Sequence, residues 1–107
     1  MIREFTTESG IRVSVGKNAK GNDYLCRMSE SDEYWLHLQG DSSPHAIVHN
    51  HIEDEDDLKF AAQLVKRYSK HSNKKRVSVI YCKVGDVKVT KELGCVKLLT
   101  TPDLISI

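Results

Sequence analysis

The chain has 107 residues, 39% of them apolar and 29% charged, with a formal net charge of +1. That is the size and make-up of one soluble globular domain with a single modest core, expected to run over residues 1–107. No apolar run nears the roughly 20 residues that span a membrane, and Met1-Ile2-Arg3-Glu4-Phe5 does not open a secretory leader; a cytoplasmic location is expected, with the nucleus left open, and no membrane partner.

Arg3-Glu4-Phe5-Thr6-Thr7 reads as a strand and Glu8-Ser9-Gly10 as a turn, Gly10 being free to take positive φ. Ile11, Val13 and Val15 alternate with Arg12 and Ser14, so a second strand pairs back as a hairpin ending at Gly16. Gly16-Lys17-Asn18-Ala19-Lys20-Gly21-Asn22-Asp23 then leads into a short helix near 18–29 capped by Asn18. Its glycines allow close backbone approach, a helix start offers free N–H donors, and Lys17 and Lys20 add charge. The segment is therefore either a phosphate-receiving site or a plain strand-to-helix turn. It is not a Walker A loop, whose Gly-x-x-x-x-Gly-Lys-Ser/Thr order is absent.

Tyr34-Trp35-Leu36-His37-Leu38 is a short strand of aromatic and apolar types. Its alternation puts one of Tyr34 and Trp35 in the core and leaves the other outward. Trp35 is the expected core residue, which makes Tyr34 the freer ring for stacking on unpaired bases. A Gly/Asp/Ser/Pro loop, 39–44, leads to the strand His45-Ala46-Ile47-Val48-His49, so His37 and His45 come near each other beneath that loop. His37, His45, His49 and His51 fall close together, but their spacing offers no tetrahedral set, and no metal or cofactor is expected. Asp41, Ser42, Ser43 and His45 hold the residue types of a nucleophile and base, yet neighbours in sequence do not make a triad.

A long helix is expected near 54–71. The acids Glu53-Asp54-Glu55-Asp56-Asp57 complement its start, and Leu58, Ala61, Ala62 and Val65 form its apolar stripe. Lys66, Arg67, Lys70, Lys74, Lys75 and Arg76 follow. On a helix, Lys66/Lys70 and Arg67/His71 stand four apart as two basic rows. The neutral total hides a division: residues 1–57 carry 12 acids and 5 bases, a balance of −7, and residues 58–107 carry 3 acids and 11 bases, a balance of +8. Such a division makes either a basic face for polyanions or a solvated helix end. Val77 to Cys82 is apolar on both faces, as a central strand is. Val87–Thr90 is a short exposed strand, and Cys95–Thr100 and Asp103–Ile107 close the sheet. Cys26, Cys82 and Cys95 form no Cys-x-x-Cys pair and sit among apolar residues, so buried reduced thiols are expected. The whole reads as an α+β fold: a mostly antiparallel sheet of about six to seven strands with one long and one short helix.

Several short motifs occur together in order. They are Gly16-Lys17-Asn18-Ala19 with Asn22-Asp23; Tyr34-Trp35-Leu36-His37; Ser43-Pro44-His45-Ala46-Ile47-Val48; Phe60-Ala61-Ala62 with Tyr68-Ser69-Lys70; and Val79-Ile80-Tyr81-Cys82-Lys83-Val84. In this combination the chain resembles the NFACT-R domain, an RNA-binding module of proteins that act on stalled large ribosomal subunits, in a stand-alone form. The resemblance implies a non-enzymatic RNA-binding role, with tRNA or rRNA as partner, a link to the ribosomal subunit, and DNA as a further ligand. Lys17, Asn18, Lys20 and Asn22 would contact the nucleic acid at the helix start. Tyr34, His37 and His45 would line the site, and Lys66, Arg67, Lys70, Lys74, Lys75 and Arg76 would supply the field. The rival expectations are a protein-interaction module that docks on a larger complex, and a nuclease or RNA-modifying enzyme using His37 and His45.

Overall fold

Six strands form one sheet, every neighbouring pair antiparallel. The structure is a computed structural model and describes residues 1–50 and 54–107. The strands are β1 (Ile2–Thr6), β2 (Arg12–Gly16), β3 (Tyr34–Leu38), β4 (Ala46–Val48), β5 (Ser78–Lys83) and β8 (Asp103–Ser106), and they lie in the order β1-β2-β4-β3-β5-β8. Helix α1 (Ala19–Met28) follows β2 and helix α2 (Glu55–Arg67) follows β4. β6 (Val87–Val89) and β7 (Val96–Leu98) make a separate two-stranded ribbon. The expected α+β fold with a long and a short helix is the observed one. The expectation that 95–100 closes the main sheet is corrected: that segment pairs with β6, Val87 opposite Leu98 and Val89 opposite Val96.

Period-two alternation gives the sheet two apolar faces. On one face Val13, Val15, Leu36, Leu38, Ala46, Val48 and Val79 meet Leu58, Ala61, Ala62, Leu64 and Val65 of α2. On the other, Trp35, Ile47 and Cys82 meet Leu25 of α1, with Ile80 and Val87, Val96 and Leu98 of the ribbon packed against them. Both faces are therefore covered, as the apolar run of β5 requires. Each fully buried Val or Leu here contributes roughly 1.5–3 kcal/mol over its exposed state.

α2 starts as its acids dictate. The Asp54 carboxylate accepts from the Asp56 N–H at 2.9 Å, and Glu55, Asp56 and Asp57 occupy the first turn. Asp57 is buried and accepts from the Ser9 hydroxyl at 2.8 Å, which ties the helix start to the β1–β2 turn. That turn has Gly10 at φ +89, as its position predicts. The far end differs from expectation. α2 stops at Arg67, not near 71, because the Ser69 hydroxyl donates to the Lys66 carbonyl at 2.7 Å and accepts from the His71 N–H at 3.1 Å. A local side-chain bond of this kind replaces the next helical one. Lys70, His71, Lys74 and Lys75 therefore lie on a turn that curls back, not on two helical rows. Lys66 Nζ reaches the Lys75 carbonyl at 3.5 Å. His51 and Glu53 lie outside the described residues.

A cleft at the end of the sheet

One end of the sheet carries the last residue of β2, the last of β3, the chain entering β4 and the C-terminal end of α2. Between them lies a cleft of about 870 Å³. Its floor is Trp35, His37, His45 and Ile80; its rims carry Lys17 and Asn18 on one side, Arg3 and Lys70 on another, and the 93–96 loop on a third. Of the expected site residues, Lys17, Asn18, Asn22, His37, His45 and Lys70 thus come together.

The floor is an aromatic box built on β3. Trp35 and His37 point to the same face, their rings stacked with centroids 5.6 Å apart and planes 7° from parallel. His45 stands edge-on to both, at 5.4 Å from Trp35 and 5.2 Å from His37. The indole N–H of Trp35 donates to His45 Nδ1 at 3.1 Å, so the ring proton of His45 sits on Nε2. The same Nδ1 lies 3.4 Å from Cys26 Sγ. Burial, reinforced by neighbouring His37, pushes the His45 pKa down to about 3. Burial also lowers the pKa of His37, partly offset by the bond between its Nδ1–H and the Leu38 carbonyl at 2.6 Å, which leaves Nε2 as an acceptor. Both imidazoles are neutral near pH 7. His37 and His45 therefore form a wall of flat, uncharged rings with hydrogen-bonding edges. Burial first, with Asp23 adding, pushes the Cys26 thiol up to about 12, which keeps it protonated and unreactive.

The strand-to-helix turn encloses the box. Asn18 caps α1, its side-chain oxygen accepting from the Gly21 N–H at 2.9 Å. The Asn22 side-chain oxygen accepts from the His45 N–H at 3.0 Å, locking α1 to the start of β4. A Cβ at Gly16 would run into the Asn22 side chain, and one at Gly21 into the Met1 carbonyl, which also accepts from the Lys17 N–H at 2.8 Å. The glycines of the motif are thus used for the chain's own close packing, and the asparagines for capping and locking. Lys17 and Lys20 are left exposed, and no acid stands in the first turn of α1 to compete for an anion.

The other expected site residues fall in three places. Lys70 is on the cleft rim; Lys74 and Arg76 line a smaller adjoining depression with Asp41 and His71; Lys20, Lys66, Arg67 and Lys75 line neither. Tyr34 lies apart from them: its ring packs against the α2-side core, on the opposite face from the cleft, because Trp35 takes the cleft face to reach His45. Trp35 is at once the core residue expected and the floor of the site. Cys95 is exposed on the cleft rim, against the expectation of burial, because Gly94 and Cys95 belong to the loop that closes over α1 and not to a strand.

Sequence reasoning missed Arg3 and Tyr68. The Arg3 guanidinium lies 4.3 Å from the centre of the Tyr68 ring, and that of Arg67 lies 5.5 Å from it. The pairing joins residues 65 positions apart, and its only sequence signal is the place of Arg3 two residues before Phe5, whose ring also meets Tyr68 at 6.1 Å.

At the opposite end of the sheet, Ser14 Oγ lies 2.6 Å from His49 Nε2, and His49 Nδ1 lies 2.7 Å from Glu33 Oε2. The order is that of a hydrolytic triad, but Ser14 is 1% exposed and its hydroxyl donates to Glu4 at 2.8 Å. A substrate has no approach to it, and the chain of bonds is a strut joining β1, β2 and the loop before β3. Among the described residues no group of three or more metal-ligating side chains converges.

An aromatic floor with cationic rims has the chemistry of a nucleic-acid interface, where rings meet bases and lysines meet phosphates. The chain belongs to the family described as the NFACT protein RNA binding domain, whose sequence model matches residues 1–99. It is 30% identical over 89 residues to the Rqc2 homolog RqcH of Bacillus subtilis (strain 168), a match covering 82% of this chain and 16% of that protein. The fold is that of the C-terminal part of the fibronectin/fibrinogen-binding protein from Streptococcus suis. The TM-score is 0.89 at 22% identity, over 99% of this chain and 44% of that one.

Proposed function

We propose that this chain binds structured RNA, tRNA or rRNA, without catalysing a reaction on it, and that the sheet-end cleft is where it does so. The observation that carries the reading is the meeting of Lys17, Lys70 and Arg3 around the neutral Trp35–His37–His45 floor. In this reading Lys17, Lys20, Lys70, Lys74 and Arg76 follow the phosphate backbone. An unpaired nucleotide enters the cleft and meets the edge or face of His37. Family membership supports RNA over other polyanions. Likeness to a protein named as an Rqc2 homolog supports a place in ribosome-associated quality control, with a ribosomal subunit as the larger partner. Docking on such a particle has its own candidate surface in Tyr24 and Met28, one turn apart on α1 and 43% and 66% exposed.

Binding is expected to be steeply salt-dependent. If about four phosphates are neutralised, log K falls with log salt at a slope of roughly −3 to −4. The measurement is a fluorescence-anisotropy titration of labelled tRNA from about 50 to 200 mM salt, with duplex DNA as competitor. Absent binding at the lowest salt, or a flat slope, would contradict the proposal. Displacement by DNA at equal concentration would move the ligand class from RNA to nucleic acid in general.

A further inference from the structure

The loop 39–44 sets a carboxylate between two basic groups. Asp41 Oδ2 lies 2.6 Å from His71 Nε2, and Asp41 Oδ1 lies 3.2 Å from Lys70 Nζ. Asp41 is the shared wall of the main cleft and of the smaller depression, which is also lined by His71, Lys74 and Arg76. Its side chain is also held locally, Oδ1 accepting from the Ser42 N–H at 2.8 Å. The loop itself is pinned by Ser43, whose hydroxyl accepts from the Leu38 N–H at 3.0 Å and donates to the Pro44 carbonyl.

A carboxylate that takes one hydrogen bond from an imidazole and one from an ammonium has the form of a phosphodiester's two free oxygens. Bonds from His71 first, then from the Ser42 N–H and Lys70, hold Asp41 well below the usual carboxylate range, so it stays charged near neutral pH. Around it Lys74 and Arg76 add positive charge within the same depression. Asp41 is therefore the one acid along a path otherwise lined by bases from Lys17 through Lys70 to Arg76, among the described residues lining the two depressions.

We infer that Lys70 and His71 form a phosphate subsite that the Asp41 carboxylate occupies from within, so that a backbone phosphate must displace it to bind. The inference deepens the RNA reading above and rests on it for the identity of the polymer, but not for the phosphate subsite itself. Asp41 then trades affinity for selectivity: a polyanion able to place a phosphate here, with further contacts on both sides, displaces the carboxylate, and weaker anions do not.

The test uses Asp41→Asn, which keeps the shape and the Ser42 contact while removing the charge, together with Lys70→Met and the double variant, each checked by thermal melting. With tRNA, Asp41→Asn is expected to bind roughly 3- to 10-fold more tightly near 150 mM salt, with a salt slope steeper by about one. In the Lys70→Met background the gain should largely vanish, whereas a general field effect of one removed charge would persist there. A second arm uses inorganic phosphate and follows the His71 ring and Lys70 Nζ resonances by NMR. Their response should saturate at several-fold lower phosphate in Asp41→Asn than in the wild type. Equal phosphate response in the two proteins, or a gain in tRNA affinity undiminished by Lys70→Met, overturns the subsite. Failure of tRNA binding by the wild type with a retained phosphate difference overturns the RNA reading and leaves the subsite standing.

Discussion

Lowering the pH from 7 to 4 is expected to remove about 3 kcal/mol of folding stability through His45 alone. His45 is 2% exposed, and burial together with His37 pushes its pKa down to about 3, against an ordinary value of 6.5. The sign follows from proton counting. Above pH 6.5 neither the folded nor the unfolded chain protonates this ring, and nothing is lost. Between 6.5 and about 3 the unfolded chain takes up a proton that the folded one refuses, so acid favours unfolding. At pH 4 the gap spans about 2.5 units, and at roughly 1.36 kcal/mol per unit this gives about 3 kcal/mol. His37, lowered in the same direction by burial, adds to the loss. Urea unfolding at a series of pH values measures this. His45→Gln should be less stable at pH 7, since it gives up the Trp35 bond, yet show a shallower decline on acidification. A wild-type stability that stays level from pH 7 to 4 would mean that His45 is reached by water and that the aromatic floor is open.

The largest effect on binding is expected from removing two exposed lysine pairs near the cleft and its adjoining depression. Lys17→Ala with Lys20→Ala strips the exposed cations from the start of α1, and Lys74→Ala with Lys75→Ala strips those of the turn after α2. If each lysine neutralises one phosphate, either double variant should weaken tRNA binding by on the order of tenfold and make the salt slope shallower by up to two. Lys20 and Lys75 line neither depression, so each pair should lose mainly through one lysine, Lys17 in the first and Lys74 in the second. All four lysines are exposed, and Lys→Ala at such places changes folding stability within about 0.5 kcal/mol. Unchanged affinity in both variants would assign these residues to solvation only. A loss confined to the 74–75 pair would leave nonspecific attraction without a site at the α1 turn.

The sheet and both helices were legible because their signals are local. Asp54 and the acids after it announce the start of α2, the 58/61/62/65 stripe announces its buried face, and the alternation of 11–15 announces β2. The end of α2 was not legible, since Lys66 to His71 keep a helical charge period with no glycine or proline to interrupt it. What stops the helix is the two-way bonding of the Ser69 hydroxyl. The alternation of Tyr34 and Trp35 fixed that they face opposite sides but not which side holds the cleft. That was decided by His45, ten residues on, whose Nδ1 the indole reaches. The histidine pair was readable as a neighbour relation, while its neutrality came only with burial. Arg3, Tyr68 and Asp41 enter through contacts between segments distant in sequence, which no local pattern records.

Amide chemical-shift mapping of the labelled protein with saturating tRNA locates the RNA site on the molecule. With RNA seated in the sheet-end cleft, the largest perturbations are expected at 17–22, at His37, along 40–45, at 68–71 and at 93–96, around the cleft. Perturbations confined to the outer side of α1 around Tyr24 and Met28, or to the β8 edge, with the cleft residues unmoved, would contradict that placement.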